Sequence, residues 1–336
     1  MSPTGNAAVS KAALTGLTMA DVARGTVIDA ERETVSVAHA VAPQRQYSVN
    51  SYGIRIAVHE WGHPDNPVVF LIHGGLDFAR TYDVFAPMLA AGGWRVVSWD
   101  QRCHGDSEWA SLTNWSADLR DAAAVIDHVS PMADGPVAVI GHSKGGAMTL
   151  RLAEAWPHRF SKLVNIDGIP SNSPQPDVVD AMQTRLASGE LSTWLDFRQM
   201  AGKKERKPDT LEGLARRRAR MNPRLAHEWL CYLVSVGAFK SDDGWRWKID
   251  PMLRPGGFGP WRPEWSLEGM AQLSVPLLAV LCEEQEPMGW ATRPRHVQRY
   301  LPQGAELVVA PTGHFIHIEA PGWASSLVLS FLGSPT

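Results

Sequence analysis

The chain has 336 residues, 44% hydrophobic and 20% charged, with 32 basic against 35 acidic side chains and a net charge of −3. These figures exclude disorder as the main state and leave no electrostatic case for nucleic acid as a partner. Three scattered cysteines, Cys103, Cys231 and Cys282, lack CxxC spacing, which argues against a disulfide framework and against a zinc site.

Residues 1–45 hold small side chains, scattered charges and no clear period, as expected of a loosely docked N-terminal extension. The start lacks the continuous apolar stretch of a secretion signal, and no apolar run is long enough for a membrane span, so a cytoplasmic location is expected. Two short β-like runs at 47–50 and 54–60 flank Ser51-Tyr52-Gly53 and predict a hairpin. VVFLIHGG (68–75) is an apolar run ended by glycines, the pattern of a strand buried on both faces. A helical pattern follows at 81–93, then a second buried-type strand at 94–100 and a helix at 114–129. The alternation continues with strands at 136–140, 162–168, 275–282 and 306–311, helices at 147–157 and 320–332, and no internal repeat. Strand–helix–strand repetition with apolar strands predicts an α/β fold: a mostly parallel central sheet with helices on both faces.

Residues 170–273 interrupt this rhythm. They hold helical patterns, a basic run (KKERK at 203–207, ARRRAR at 215–220) and a Pro/Gly/Trp-rich segment at 244–265. We read them as a mainly helical cap inserted between core segments 46–169 and 274–336. The basic run reads as a solvated helix face, with an anionic partner as the alternative. Six of the 14 tryptophans (Trp194, Trp229, Trp245, Trp247, Trp261, Trp265) fall in this region, either as packing residues or as walls of an apolar pocket.

The chemistry-bearing signal is Gly141-His142-Ser143-Lys144-Gly145-Gly146, between a strand and a helix. G-x-S-x-G in that setting makes a sharp turn that exposes a serine hydroxyl, with glycines where a side chain would strike neighbouring backbone. The serine needs a base. His314, after the last predicted strand, falls at the same sheet edge; His317 and His142 are read as packing residues. Backbone amides of Lys144 and of Gly75, with Leu76 as second choice, are expected to hold an oxyanion. No Gly-rich phosphate loop and no metal-spaced His/Asp cluster appears, so neither a cofactor nor a metal ion is expected.

HGG (73–75), DQRCHGDS (100–107), GHSKGG (141–146), the strand VPLLAVL with acidic residues after it, and GHFIHIEAP (313–321) occur in this order. Together they resemble the capped serine hydrolases of the α/β-hydrolase fold, over roughly residues 47–332. GWRWKIDP in the cap resembles a segment of serine-hydrolase-like members. The resemblance implies a triad in chain order Ser…Asp/Glu…His, with Ser143 and His314 in the matching places. It also implies a structural role for Asp100 and Arg102. Cys103 stands where the pattern has glycine, and Lys144 where a small or apolar residue is frequent.

The acid is open. At the usual place after the seventh strand stands Gln285, and a neutral amide cannot stabilise an imidazolium as a carboxylate does. Glu286, one residue on, Asp167 at the end of strand 162–168, and Glu284 are the candidates, with Glu286 placed first. The resemblance implies a cofactor-independent serine hydrolase, most simply of a carboxylic ester of a hydrophobic small molecule, with thioester, lactone or amide as variants. Carbon–carbon bond hydrolysis, perhydrolysis, or a binding protein that has lost turnover are the alternatives. The displaced acid is the feature that favours the last.

Overall fold

The computed structural model describes residues 37–170, 207–253, 263–287 and 289–334, with a few positions between 189 and 200. Residues 1–36 of the extension expected over 1–45, and most of residues 171–206 in the expected cap, lie outside the described residues. The strands run β1 (Arg45–Ser51), β2 (Ile54–Trp61), β3 (Val68–Ile72), β4 (Arg95–Trp99), β5 (Val137–His142), β6 (Phe160–Ile166), β7 (Ala238–Ser241), β8 (Gly244–Trp247), β9 (Leu277–Cys282) and β10 (Glu306–Ala310). The helices are α1 (Phe85–Ala91), α2 (Trp115–Val129), α3 (Lys144–Ala155), α4 (Leu211–Ala219), α5 (His227–Gly237), α6 (Pro263–Ala271), α7 (Pro294–Val297), α8 (Ile316–Glu319) and α9 (Pro321–Leu332).

Eight strands form one sheet in the order β1-β2-β4-β3-β5-β6-β9-β10. β1, β2 and β4 pair antiparallel; every pair from β4 to β10 is parallel. The turn between β1 and β2 carries Tyr52 and Gly53 at positive φ, as a two-residue hairpin requires. Alternate residues of the continuous apolar strands serve opposite faces. Phe70, Ile72, Val97 and Val139 pack on the side of α2 and α3, through Val125, Ile126 and Met148. Val69, Leu71, Val96 and Ile140 pack on the side of α1 and α9, through Phe85, Leu89, Ala324 and Val328. Two covered faces explain why these strands read as unbroken apolar runs.

The chain order changes direction at β3, with β4 on one side and β5 on the other. In open parallel sheets the crevice at such a point is where ligands bind. The loops after β3 and β5, HGG and the Ser143 turn, face each other there.

Asn114 caps α2, its Oδ1 accepting the N–H of Ala117 at 2.8 Å. Within the segment expected to be a mainly helical cap, β7 and β8 pair as an antiparallel ribbon. Their half-exposed side chains gave no buried-strand pattern. Residues 37–41 contact the rest of the fold. Val37–His39 form a single turn, Trp61 Nε1 donates to the Val41 carbonyl at 2.9 Å, and Val37 and Ala40 touch the cap cluster. Among the described residues no helix is long and apolar enough to cross a membrane.

Arg102 and Asp121 make a buried ion pair. Arg102 Nε and Nη2 donate to Asp121 at 2.6 and 2.8 Å, Nη1 donates to the Leu112 carbonyl, and Ser51 Oγ donates to Asp121 at 2.5 Å. Removing one partner leaves a buried charge without its counter-ion. Asp121→Ala is therefore expected to cost about 3–5 kcal/mol, read as a lower urea midpoint.

Candidate active site

β5 ends in a turn whose Ser143 takes φ +54 and ψ −121. Two hydrogen bonds hold it: its N–H donates to the Ile166 carbonyl at 3.0 Å, and its carbonyl accepts the Ala147 N–H at 3.1 Å. Gly145 has no room for a side chain, since a Cβ there would collide with the Ile72 carbonyl at the end of β3. Gly74 lies against the serine, so that a Cβ on Gly74 would sit 3.2 Å from Ser143 Cβ. Lys144 opens α3, and its amide belongs to the first helical turn, which has no intrahelical acceptor. The Lys144 ammonium is turned away onto Asp118 of α2 at 2.6 Å.

On the facing loop, Leu76 spends both backbone groups. Its N–H donates to His104 Nε2 at 3.2 Å and its carbonyl accepts from Arg218 Nη1 at 2.7 Å. The amide of Gly75 has no partner among the described residues. Of the two donors expected on this loop, Gly75 is the one left available.

His314 follows β10 in the loop before α8. Its Nδ1 lies 2.5 Å from Asp167 Oδ2, with both side chains buried. Asp167 sits just after β6 at φ +46 and also accepts the Cys282 N–H at 3.2 Å and the Cys282 thiol at 3.1 Å. Glu286 does not meet the imidazole at that nitrogen. Its Oε2 accepts the backbone N–H of His314 at 2.6 Å. Of the two acids weighed in the sequence, Asp167 faces Nδ1 and Glu286, placed first there, faces the main chain. Glu284 is exposed and its N–H donates to the Thr312 carbonyl. Burial, with Glu319 adding to it, holds the Glu286 carboxyl above the usual range, and the His314 amide partly offsets this.

His142 joins the serine turn to the His314 loop. Its Nε2–H donates to the His314 carbonyl at 2.9 Å, and its ring lies 4.6 Å from both the His314 and His317 rings. Burial pushes His142 well below its ordinary pKa, and lowers His317 to about 3 and His73 to about 4. His317 packs against Tyr82, Phe85 and Phe315.

Asp100 anchors the neighbouring loop. It accepts the N–H of Ala79 at 2.7 Å and of Asp106 at 2.8 Å, and His59 Nε2 lies 3.1 Å away. Burial alone would raise its pKa, but the His59 contact and the Asp106 amide outweigh it and bring it to about 2. Cys103 takes φ +67, which accounts for glycine at this place in the resembling pattern. Its buried thiol is pushed up to about 12, chiefly by desolvation, which leaves it unreactive.

One residue of the ceiling escaped the sequence reading. Arg218 belongs to the basic run, in which Lys207, Arg216, Arg217 and Arg220 are exposed. Arg218 turns inward, bonds the Leu76 carbonyl, lies 3.4 Å from Asp77, and sits over the Trp247 and Phe315 rings. The signal was present: Leu211, Leu214 and Ala215 make the apolar stripe of α4, and Arg218 continues it at the next i+3/i+4 step. Trp229, Trp245 and Trp247 belong with Phe78 and Phe315 to one apolar cluster. Trp194 and Trp261 lie outside the described residues.

Residues 68–325 match the model of the alpha/beta hydrolase family. The chain is 26% identical to the AB hydrolase superfamily protein YfhM of Bacillus subtilis over 303 residues, 84% of this chain and 96% of that protein. It is 30% identical over 138 residues to a serine hydrolase-like protein of Dictyostelium discoideum, a match covering 39% of this chain and only 37% of the relative. Lipase LipV of Mycobacterium tuberculosis matches at 35% over 132 residues, 38% of this chain and 48% of the lipase. Among solved structures, the thioesterase domain from the curacin biosynthetic pathway superposes with a TM-score of 0.70 at 24% identity. That superposition covers 85% of this chain and 99% of the domain, a likeness of fold. With the family model spanning most of the sequence, the chain belongs to the alpha/beta hydrolase family, and its relatives support hydrolase activity.

Proposed function

We propose that the chain is a cofactor-independent serine hydrolase of carboxylic esters of hydrophobic small molecules. The observation that carries this reading is the left-handed Ser143 turn tied through His142 to an imidazole whose Nδ1 contacts a buried carboxylate. In the proposed reaction His314 Nε2 takes the Ser143 hydroxyl proton while Asp167 holds the Nδ1–H and stabilises the imidazolium. The serine oxygen attacks the ester carbonyl. The amides of Gly75 and Lys144 receive the oxyanion. Collapse expels the alcohol, which takes its proton from His314, and leaves an acyl-serine. A water molecule, deprotonated by the same histidine, then releases the acid. The apolar cluster around Phe78, Trp247 and Phe315 favours a hydrophobic acyl or alkyl group. The displaced acid favoured the reading as a binding protein without turnover; the contact of Asp167 with His314 Nδ1 supports a catalytic reading instead.

Fluorophosphonate treatment of the full chain is expected to add one label per molecule, detected by intact mass, and Ser143→Ala is expected to abolish it. Folded protein that takes no label would overturn the assignment. Asp167→Asn is expected to lower kcat on an activated ester by on the order of 10³–10⁴ through the wrong histidine tautomer. Glu286→Gln keeps an acceptor for the His314 amide and is expected to cost no more than about 10² through positioning. The opposite ranking would give the acid role to Glu286.

A further inference from the structure

On α4 and α5, three exposed or partly exposed side chains of different chemistry converge. His227 and Cys231 lie one turn apart on α5 and so share a helix face. Glu212 reaches them from the first turn of α4. His227 Nε2 is 2.9 Å from Glu212 Oε2 and 3.3 Å from Cys231 Sγ, and the three ligand atoms all lie within 4.8 Å of one another. We propose that Glu212, His227 and Cys231 form a binding site for a thiophilic divalent transition-metal ion of the Zn²⁺ type, a site independent of the hydrolase reading.

The geometry and the donor set both argue for it. Zinc binds sulfur at about 2.3 Å and imidazole nitrogen or carboxylate oxygen at about 2.0–2.1 Å, so tetrahedral ligands stand roughly 3.3–3.7 Å apart. The observed separations of 2.9 and 3.3 Å approach that spacing, and small side-chain rotations open it. Imidazole with thiolate selects zinc-like ions over magnesium or calcium, which take oxygen ligands. Charge also balances. The thiol proton is released as the metal–sulfur bond forms, and thiolate plus carboxylate then offset the two positive charges. Arg216 lies 3.6 Å from Glu212 Oε1, leaving Oε2 toward His227. Three protein ligands leave the fourth position to water on the solvent side, where Glu212 and His227 are about half exposed. The absence of CxxC spacing hid the site, because its ligands come from an i,i+4 pair and a second helix.

The test is titration of tag-free, reduced protein with Co²⁺. The expected result is one Co²⁺ per chain, with a near-ultraviolet thiolate-to-cobalt absorption band, release of one proton, and displacement of the cobalt by Zn²⁺. Cys231→Ser is expected to abolish the band. His227→Ala and Glu212→Gln are expected to weaken binding by more than about tenfold. These positions are partly or largely exposed, so their replacement spares the core, and Cys103 and Cys282 are buried. A missing band in the wild-type chain would overturn the site. So would a band that survives Cys231→Ser, or an affinity unmoved by His227→Ala.

Discussion

Ser143 must hold a left-handed backbone between a strand and a helix, and much of the surrounding sequence follows from that requirement. A non-glycine residue in that region costs of order 1–3 kcal/mol and persists only where neighbours over-determine it. Here β6 accepts its N–H, α3 begins on its carbonyl, and the turn is wedged against the end of β3. Gly168 at the end of β6 passes close under the turn, where a Cβ would strike the Ser143 carbonyl. One strained residue thus dictates small side chains on three separate segments and brings the ends of β3, β5 and β6 together.

Around this turn the protein buries several imidazoles, and hydrogen bonding defines their state. His73 donates from Nδ1 to the Gly74 carbonyl and accepts the Gln101 N–H at Nε2. His104 donates from Nδ1 to the Arg102 carbonyl and accepts the Leu76 N–H at Nε2. Each ring is therefore a neutral strut with a fixed tautomer, and burial reinforces neutrality by disfavouring the charged form. His142 and His317, both lowered by burial, complete an uncharged shell. His314 differs from them in having a carboxylate on Nδ1. That contact is the one by which the proposed mechanism would orient His314 as the base.

The parallel sheet, the serine turn and the histidine loop were legible because each depends on local pattern: apolar runs, glycines at a tight turn, and position after a strand. The acid was not, because two carboxylates end on the same histidine from different strands. One meets the ring and the other the main chain 28 residues further along than Glu286, and sequence spacing carries no information about which. The inward turn of Arg218 was legible in principle from the α4 stripe but was masked by its charged neighbours. The β7–β8 ribbon left no trace because neither of its faces is fully buried.

The seven residues from Arg218 to Arg224 connect the cap to both loops of the site. Arg218 bonds the Leu76 carbonyl beside Gly75, while Arg224 Nε donates to Glu319 at 3.0 Å. Glu319 in turn accepts the Gly313 N–H at 3.0 Å, next to the His314 amide held by Glu286. The loop bearing the proposed oxyanion donor and the loop bearing the proposed base are thus fastened to one corner of the cap by largely buried, charge-assisted bonds. Bonds of this kind are about twice as strong as neutral ones. Displacing that corner would strain both fastenings at once, so its position and the registration of the two loops are parts of one arrangement.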